Sequence, residues 1–350
     1  MKVLVTGGAG FIGSAVCRNL VLQKHCTVVN VDKLTYAANP ASLTALEGRE
    51  DYTFIKVDIC DRDTIRAIFE QHRPDAVLHL AAESHVDRSI DSPDAFIQSN
   101  IVGTYELLQA AHIYWRELHA DAQQAFRFLH VSTDEVYGSL GEDGEFNESS
   151  PYSPNSPYSA SKAASDHLAH AWWETYGLPV MVSTCTNNYG PYQFPEKLIP
   201  RMIINALEGR QLPVYGQGLN RRDWLHVEDH VEALYAILTR GRPGQTYAIG
   251  ANSDCSNIAL VEKLCALLDE MADGLPVQPT AELISFVTDR PGHDFRYAID
   301  AHKITTELGW RPQYDLDEGL RQVVQWYLDN REWWNAIGEN GYDGQRLGVI

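Results

Sequence analysis

The chain has 350 residues, 44% of them hydrophobic, enough to bury one large core or two modest ones. Its formal net charge of −19 argues against non-specific binding to nucleic acid or to an anionic membrane, which both reward a basic surface. A few local arginines could still hold an anionic small ligand. The opening Met1-Lys2-Val3-Leu4-Val5 runs straight into a glycine loop and fits no signal peptide. No apolar stretch reaches the roughly 20 residues of a membrane span. The six cysteines, Cys17, Cys26, Cys60, Cys185, Cys255 and Cys265, show no CxxC spacing and read as free core thiols. The expectation is a cytoplasmic protein without a metal site.

Residues 2–6 read as a short strand. Glycines at 7, 10 and 13 follow, and 14–24 reads as a helix. In a strand–loop–helix context the first glycine makes the tight turn. The second admits a pyrophosphate, and the third lets helix and strand pack closely. The helix N-terminus then offers free N–H groups to the phosphates. The spacing is GxxGxxG rather than the more familiar GxGxxG. A second strand, 27–32, ends in Asp32, close to 20 residues beyond the loop. An acid there accepts hydrogen bonds from a ribose 2′-hydroxyl and repels a 2′-phosphate, so the expected cofactor is NAD rather than NADP. An ordinary strand-end turn is the alternative reading of Asp32.

A third strand, 52–57, leads to Asp58 and Ile59, which either border an adenine or form a simple turn. Asp61 is placed to cap a helix at 62–72. A fourth strand, 75–80, contains His79, read as a core histidine, and leads into Ala81-Ala82-Glu83-Ser84, where small residues leave room for a ligand. Residues 92–119 read as one long helix. The apolar run 126–131 then delivers the chain to Ser132-Thr133-Asp134-Glu135-Val136-Tyr137-Gly138. Adjacent carboxyls here lie where open α/β sheets bind ligands, although an Asp-Glu pair alone is more often a solvated turn. Residues 138–156 are loop-like, and 157–176 is a helix carrying Tyr158 and Lys162 on one face. The ammonium is expected to favour the ionised phenol and lower its pKa. The alternation predicts an α/β fold with a doubly wound parallel sheet.

Residues 179–185 form a further strand, and the remainder is less regular. Helices are expected to about 209, at 228–240, 257–271, 301–308 and 316–331, with strand-like runs at 246–250 and 284–287. The last residues carry no assigned element. Residues 1–185 are read as the cofactor domain with the catalytic motifs. Residues 186–350 are read as mainly a smaller α/β substrate domain, with some segments returning to the first. Arg222, Arg290 and Lys197 are candidates to clamp an anion, each weighed against a solvated surface charge. His226 and His230 imitate a metal pair but lack a third ligand. Asp229 reads as a helix cap.

With the glycine loop, Asp32, the Ser/Thr strand end and Tyr158-xxx-Lys162, the chain resembles the extended short-chain dehydrogenase/reductase family. Ser132-Thr133-Asp134-Glu135-Val136-Tyr137-Gly138 narrows the resemblance to the nucleoside-diphosphate-glucose 4,6-dehydratases. The segments Tyr189-Gly190-Pro191-Tyr192-Gln193-Phe194-Pro195-Glu196-Lys197 and Arg290-Pro291-Gly292-His293-Asp294 agree with it. The resemblance implies a Rossmann-type sheet and a sugar 4,6-dehydration with Tyr158 as base, Lys162 as its partner and Thr133 on the 4-oxygen. Glu135 would take the C5 proton and Asp134 would protonate the departing hydroxyl. It implies NAD contacts from Gly7, Gly10, Phe11, Ile12, Gly13, Asp32, Lys33, Leu34, Thr35, Asp58, Ile59, Leu80, Ala81, Ala82, Ser84, Ser99, Tyr158, Lys162 and Asn188. It implies a nucleotide-sugar site from Ser84, Thr133, Asn187, Glu196, Lys197, Leu198, Pro213, Tyr215, Arg222, Asn257, Asp289, Arg290 and His293. It also implies a homodimer through a four-helix bundle of helices 92–119 and 157–176. A sugar-nucleotide epimerase or decarboxylase, or a non-catalytic NAD sensor on the same fold, are the rival readings.

Overall fold

Strands that read as continuous apolar runs become a sheet buried on both faces. The computed structural model describes residues 1–339 of the chain. The first six strands are β1 (Lys2–Thr6), β2 (Thr27–Asp32), β3 (Tyr52–Lys56), β4 (Ala76–His79), β5 (Arg127–Val131) and β6 (Val180–Cys185). The next six are β7 (Asn187–Tyr189), β8 (Leu212–Tyr215), β9 (Arg221–His226), β10 (Thr246–Ile249), β11 (Asp254–Ser256) and β12 (Ile284–Val287). The main sheet runs β10-β6-β5-β4-β1-β2-β3 with every pairing parallel. Such a sheet needs helices on both faces. On one face the helix Phe11–Leu22 packs with Val227–Arg240; on the other, Arg62–His72, Thr104–Arg116 and Pro157–Tyr176 supply Phe69, Leu107, Tyr114 and Trp172. Only β3, at the sheet edge, is substantially exposed.

The strand order reverses between β1 and β4, which opens a crevice at their carboxyl ends. Smaller sheets, β11-β9-β7 and β12-β8, pack with the helices Leu198–Leu207, Asn257–Met271 and Leu316–Asp329 around a separate core of Leu260, Val323 and Tyr327. Although it lies in the second half of the sequence, β10 pairs with β6 in the main sheet.

The expected helix at 92–119 is corrected. The chain is α-helical at Pro93–Phe96, widens to a π-helix over Ile97–Gly103, and returns to α-helix over Thr104–Arg116. The insertion turns Asn100 inward, where its amide bonds the Glu83 backbone in both directions, at 2.8 and 3.0 Å, and Ser161 at 2.8 Å. A short helix, Ala120–Ala125, follows. Strands β7, β8, β9 and β11 were not expected, because short runs bearing Asn, Pro, Arg or Asp lack the apolar alternation that marks a strand. A helix at Arg331–Glu339 occupies residues to which no element was assigned; residues 340–350 lie outside the described part. Asp61 caps Arg62–His72 as expected, accepting from Thr64 N–H at 3.2 Å. Asp229 is not a cap of its own helix. The ring of His226 fills that place, and Asp229 instead accepts the backbone N–H groups of Gln313 and Tyr314 at 2.9 and 3.0 Å. The six cysteines are free; Cys60 and Cys255 are half-buried rather than core. No helix among the described residues is long and apolar enough to cross a membrane.

Candidate active site

The crevice is lined at one end by Gly7, Gly10, Phe11, Ile12 and Gly13. Gly7 has φ +75°, and a Cβ on it would lie 2.6 Å from the backbone nitrogen of Ala81. A Cβ on Gly13 would lie 2.1 Å from the Gly7 carbonyl oxygen. The helix begins at Phe11 with Gly10 as its cap residue and no side chain bonded to its first-turn N–H groups. Uncapped donors at a helix N-terminus on the crevice wall fit a pyrophosphate. Asp32 follows on β2, accepting from Ala9 N–H at 2.9 Å and Leu34 N–H at 2.7 Å. Each oxygen keeps lone-pair capacity for a ribose hydroxyl. With Thr35, Ile59, Leu80 and Ala81 as apolar and small walls, the residues present fit a dinucleotide.

At the other end the crevice is lined by Thr133, Asp134, Glu135, Tyr158 and Lys162 together. β5 brings the chain to Ser132, and Thr133 opens a 3-10 turn over Asp134–Tyr137 by accepting from Glu135 N–H at 3.3 Å. The helix Pro157–Tyr176 starts at a reciprocal Ser156/Ser159 capping box with Pro157 in its first turn. That start fixes Tyr158 at the crevice and Lys162 one turn deeper. The Lys162 ammonium donates to the Val131 carbonyl at 2.8 Å.

Environment separates the ionisable groups. Burial, then the neighbouring Glu135 charge, holds Asp134 well above the usual carboxylate range. Burial also raises Glu135, but Arg290, Arg222 and Lys197 all pull the other way. Lys162 is lowered by burial, with Asp166 the main opposing influence. The expectation of a lowered Tyr158 is overturned: burial, then Glu135, pushes the phenol well above its ordinary value, against a hydrogen bond with Thr133. The cleft thus holds a carboxylic acid kept neutral, a carboxyl faced by three cations and a phenol beside a buried ammonium.

The other predicted residues divide in two. Lys33, Ala82, Ser84, Ser99, Asn187, Asn188, Glu196 and Lys197 line the same crevice. Leu34, at φ +59°, and Asp58, which accepts from Cys60 N–H at 2.9 Å, flank it. A second group lies among the elements of the smaller sheets. Arg222 is buried, donates to the carbonyls of Arg221 and Asp294 at 2.7 and 3.0 Å, and stacks 4.4 Å over the Tyr297 ring. It is therefore no solvated surface charge. Arg290 pairs with Asp87 at 2.8 Å, and Tyr215 donates to the same carboxyl at 3.0 Å. His293 bonds Asp289 at 2.6 Å and meets Tyr215 edge-on. Pro213 lies on β8, while Leu198 and Asn257 each open a helix; the Asn257 Oδ1 is buried without a partner. Within the crevice, Lys197 donates to the Ser84 carbonyl at 3.2 Å.

His79 is a core residue, held by Thr6 and Thr104 at 2.7 and 2.9 Å. His226 stacks on Tyr314 at 3.9 Å, while His230 bonds Asn188 at 2.9 Å. Burial pushes them down to about 4 and about 3 respectively, so both are neutral. No group of three metal-capable side chains occurs among the described residues. Two features escaped the sequence reading. They are Asn100, which the π-helix turns inward, and a buried Asp166 behind the catalytic strand. Only Asp166 carried a signal, four residues beyond Lys162 and hence on the same helix face.

A family model described as GDP-mannose 4,6 dehydratase matches residues 4–323. A dTDP-glucose 4,6-dehydratase of Neisseria meningitidis is 58% identical over 351 residues, covering 99% of each chain. The dTDP-glucose 4,6-dehydratase 1 of Escherichia coli K12 is 55% identical over 98% of this chain and 97% of its own. Among solved structures, a dTDP-glucose 4,6-dehydratase of Streptomyces venezuelae with NAD and TYD bound is 44% identical. It superposes with a TM-score of 0.87 over 96% of this chain and 100% of its own. A UDP-glucose 4-epimerase of Thermus thermophilus in complex with NAD has a TM-score of 0.82 at 26% identity, covering 94% of this chain and 100% of its own.

Proposed function

The chain belongs to the family of nucleotide-sugar 4,6-dehydratases, and we propose that it converts dTDP-glucose to dTDP-4-keto-6-deoxyglucose, using NAD. The observation that carries this reading is one cleft shared by a Tyr/Lys pair and two carboxyls of unequal character. A 4-epimerase needs no such carboxyl pair. Bound along the glycine loop, NAD supplies a hydride acceptor for C4 and later a hydride donor for C6.

Tyr158 takes the proton of the C4 hydroxyl, with Lys162 stabilising the phenolate and Thr133 holding the 4-oxygen. The resulting 4-ketone makes the C5 proton acidic, which an unactivated C–H is not. Glu135 takes that proton as the base, and C5 is reprotonated when C6 is reduced. Asp134, neutral because it is buried beside Glu135, gives its proton to the C6 hydroxyl as water departs. Arg222, Arg290 and Lys197 face Glu135 from the substrate half and form an anion-binding setting for the diphosphate. In this reading the sheet domain carries cofactor and chemistry, the second half reads the nucleotide sugar, and two chains dimerise through the helices flanking the crevice. The free thiols accord with a cytoplasmic location.

The test is turnover of dTDP-glucose deuterated at C4, mixed with unlabelled substrate. Deuterium should appear at C6 of the same sugar molecule, without accumulation of free NADH. A C4 epimer as product would sink the dehydratase reading in favour of an epimerase, and no turnover would favour a sensor.

A further inference from the structure

Asp166 lies one helical turn beyond Lys162 and is 3% exposed. Three donors from two segments converge on its carboxylate. His130 Nε2, on β5, lies at 3.0 Å, and Ser132 Oγ donates at 2.6 Å. Tyr152 donates its hydroxyl at 3.0 Å from the loop before the helix. Ser132 immediately precedes Thr133, Asp134 and Glu135. No sugar or cofactor role uses this cluster, yet it sits directly behind the reacting groups.

We infer that Asp166 is a positioning residue for the proposed dehydration: its carboxylate keeps the Lys162 ammonium charged and pins the strand end that carries Thr133, Asp134 and Glu135. The inference rests on the dehydratase reading for its kinetic arm only. The groups facing Asp166 can be named in full. Lys162 and His167 share its helix, and His130 approaches from β5 with the ring of His79 of β4 tilted against it at 5.2 Å. Tyr137 and Tyr152 come from the segment between, and Cys185 of β6 faces Lys162. His79 and His130 are held well below their ordinary values by burial and are neutral. With Nε2–H directed at Asp166, His130 is left with Nδ1 as a bare acceptor, and that atom is buried without a partner. His167 acts on Asp166 from an exposed position, so Lys162 is the buried cation that an Asp166 charge serves. Burial raises Asp166 to about 6, against Lys162, Ser132 and Tyr152. It is charged at neutrality and loses that charge as pH falls through this value.

The experiment compares wild type with Asp166→Asn in kcat, KM and thermal stability across pH. At pH 8 the variant should lose about tenfold or more in kcat, the effect of one pKa unit on the ionised fraction of the base. Its KM for dTDP-glucose should stay within about twofold, since Asp166 touches no substrate. The kcat ratio should shrink as pH falls below 6, because the wild type then reaches the same uncharged state. Asp166→Glu should recover part of kcat. A raised carboxyl binds its proton more tightly in the folded state, so wild type should gain Tm relative to Asp166→Asn as pH falls from 7 to 5. A kcat ratio independent of pH, or a Tm difference independent of pH, would each overturn the inference. If wild type proves inactive on dTDP-glucose, the dehydratase reading fails while the Tm comparison still decides on Asp166. If Asp166→Asn does not fold, Tyr152→Phe removes one donor and raises Asp166 further. Its deficit in kcat should then grow from pH 8 to pH 6, and a constant deficit overturns the inference.

Discussion

Asp134 and Glu135 are adjacent in sequence but differ in what faces them. Asp134 Oδ2 is buried without a partner, and the Glu135 charge discourages its ionisation. Glu135 is opposed by Arg290, Arg222 and Lys197. When two coupled carboxyls share a site, the one that cations oppose less keeps the proton; Arg222 acts on Asp134 as well, but burial and the Glu135 charge outweigh it. That order assigns acid to Asp134 and base to Glu135. Glu135→Gln should slow water loss by about 10²–10⁴-fold while C4 oxidation persists, followed as loss of dehydrated product alongside retained C4 deuterium transfer. Asp134 must be protonated to act, and its pKa is raised. Turnover should therefore fall as pH rises through the raised pKa of this group. Asp134→Asn should lower the plateau and abolish this alkaline fall; a retained alkaline limb would assign it to another group.

At the scale of the element, the glycine loop and the Tyr158 helix were legible because their constraints are local. A glycine is needed where a Cβ would strike backbone, and the i, i+4 spacing of Tyr158 and Lys162 lies within a single helix. Gly13→Ala should force the Gly7 carbonyl and the Gly8 Cα outward. Overpacking of this kind costs about 1–3 kcal/mol, so a lower Tm and loss of NAD on gel filtration are expected. Gly10→Ala, whose Cβ meets only the Gly7 oxygen at 3.4 Å, should be milder. A Gly13→Ala protein with wild-type NAD retention would show that the loop is not the phosphate cradle. What the sequence concealed depended on distant partners. The π-helix at Ile97–Gly103 follows from Asn100 finding Glu83 and Ser161, and no period in the sequence announces it. Strands β7, β8 and β9 exist because they pair with one another or with β12 and β11, not because their composition favours extension. Tyr158 was misjudged in direction for the same reason. Its helix neighbour Lys162 is visible in sequence, whereas the burial and the Glu135 charge that dominate it are properties of the assembled cleft.

For the whole molecule, the helices against the outer side of the sheet leave an unfinished surface. Ile97, Tyr105 and Tyr176 are 49%, 36% and 48% exposed, in a protein whose large apolar residues are mostly covered. Tyr105 and Tyr176 belong to one patch. Tyr105 meets Trp172 edge-on at 5.8 Å, Trp172 meets Tyr176 at 5.3 Å, and His112 lies against Tyr176 at 5.0 Å. The patch thus crosses from the helix Thr104–Arg116 to the helix Pro157–Tyr176. A two-fold axis through it would bring two helices from each chain together as a four-helix bundle, each patch covering its own copy. Stable interfaces bury about 1,200–2,000 Å² in total, with aromatic residues at their centre, and a pair of helices per chain is of the right extent. A charge at this centre is desolvated on association without a partner, which costs several kcal/mol. Wild type should therefore sediment as a dimer at micromolar concentration, and Tyr105→Glu combined with Tyr176→Glu as a monomer. Both side chains are exposed in the single chain, so the fold should survive and circular dichroism should be unchanged. A wild type that sediments as a monomer, or a folded double variant that remains a dimer, would remove this surface from the assembly.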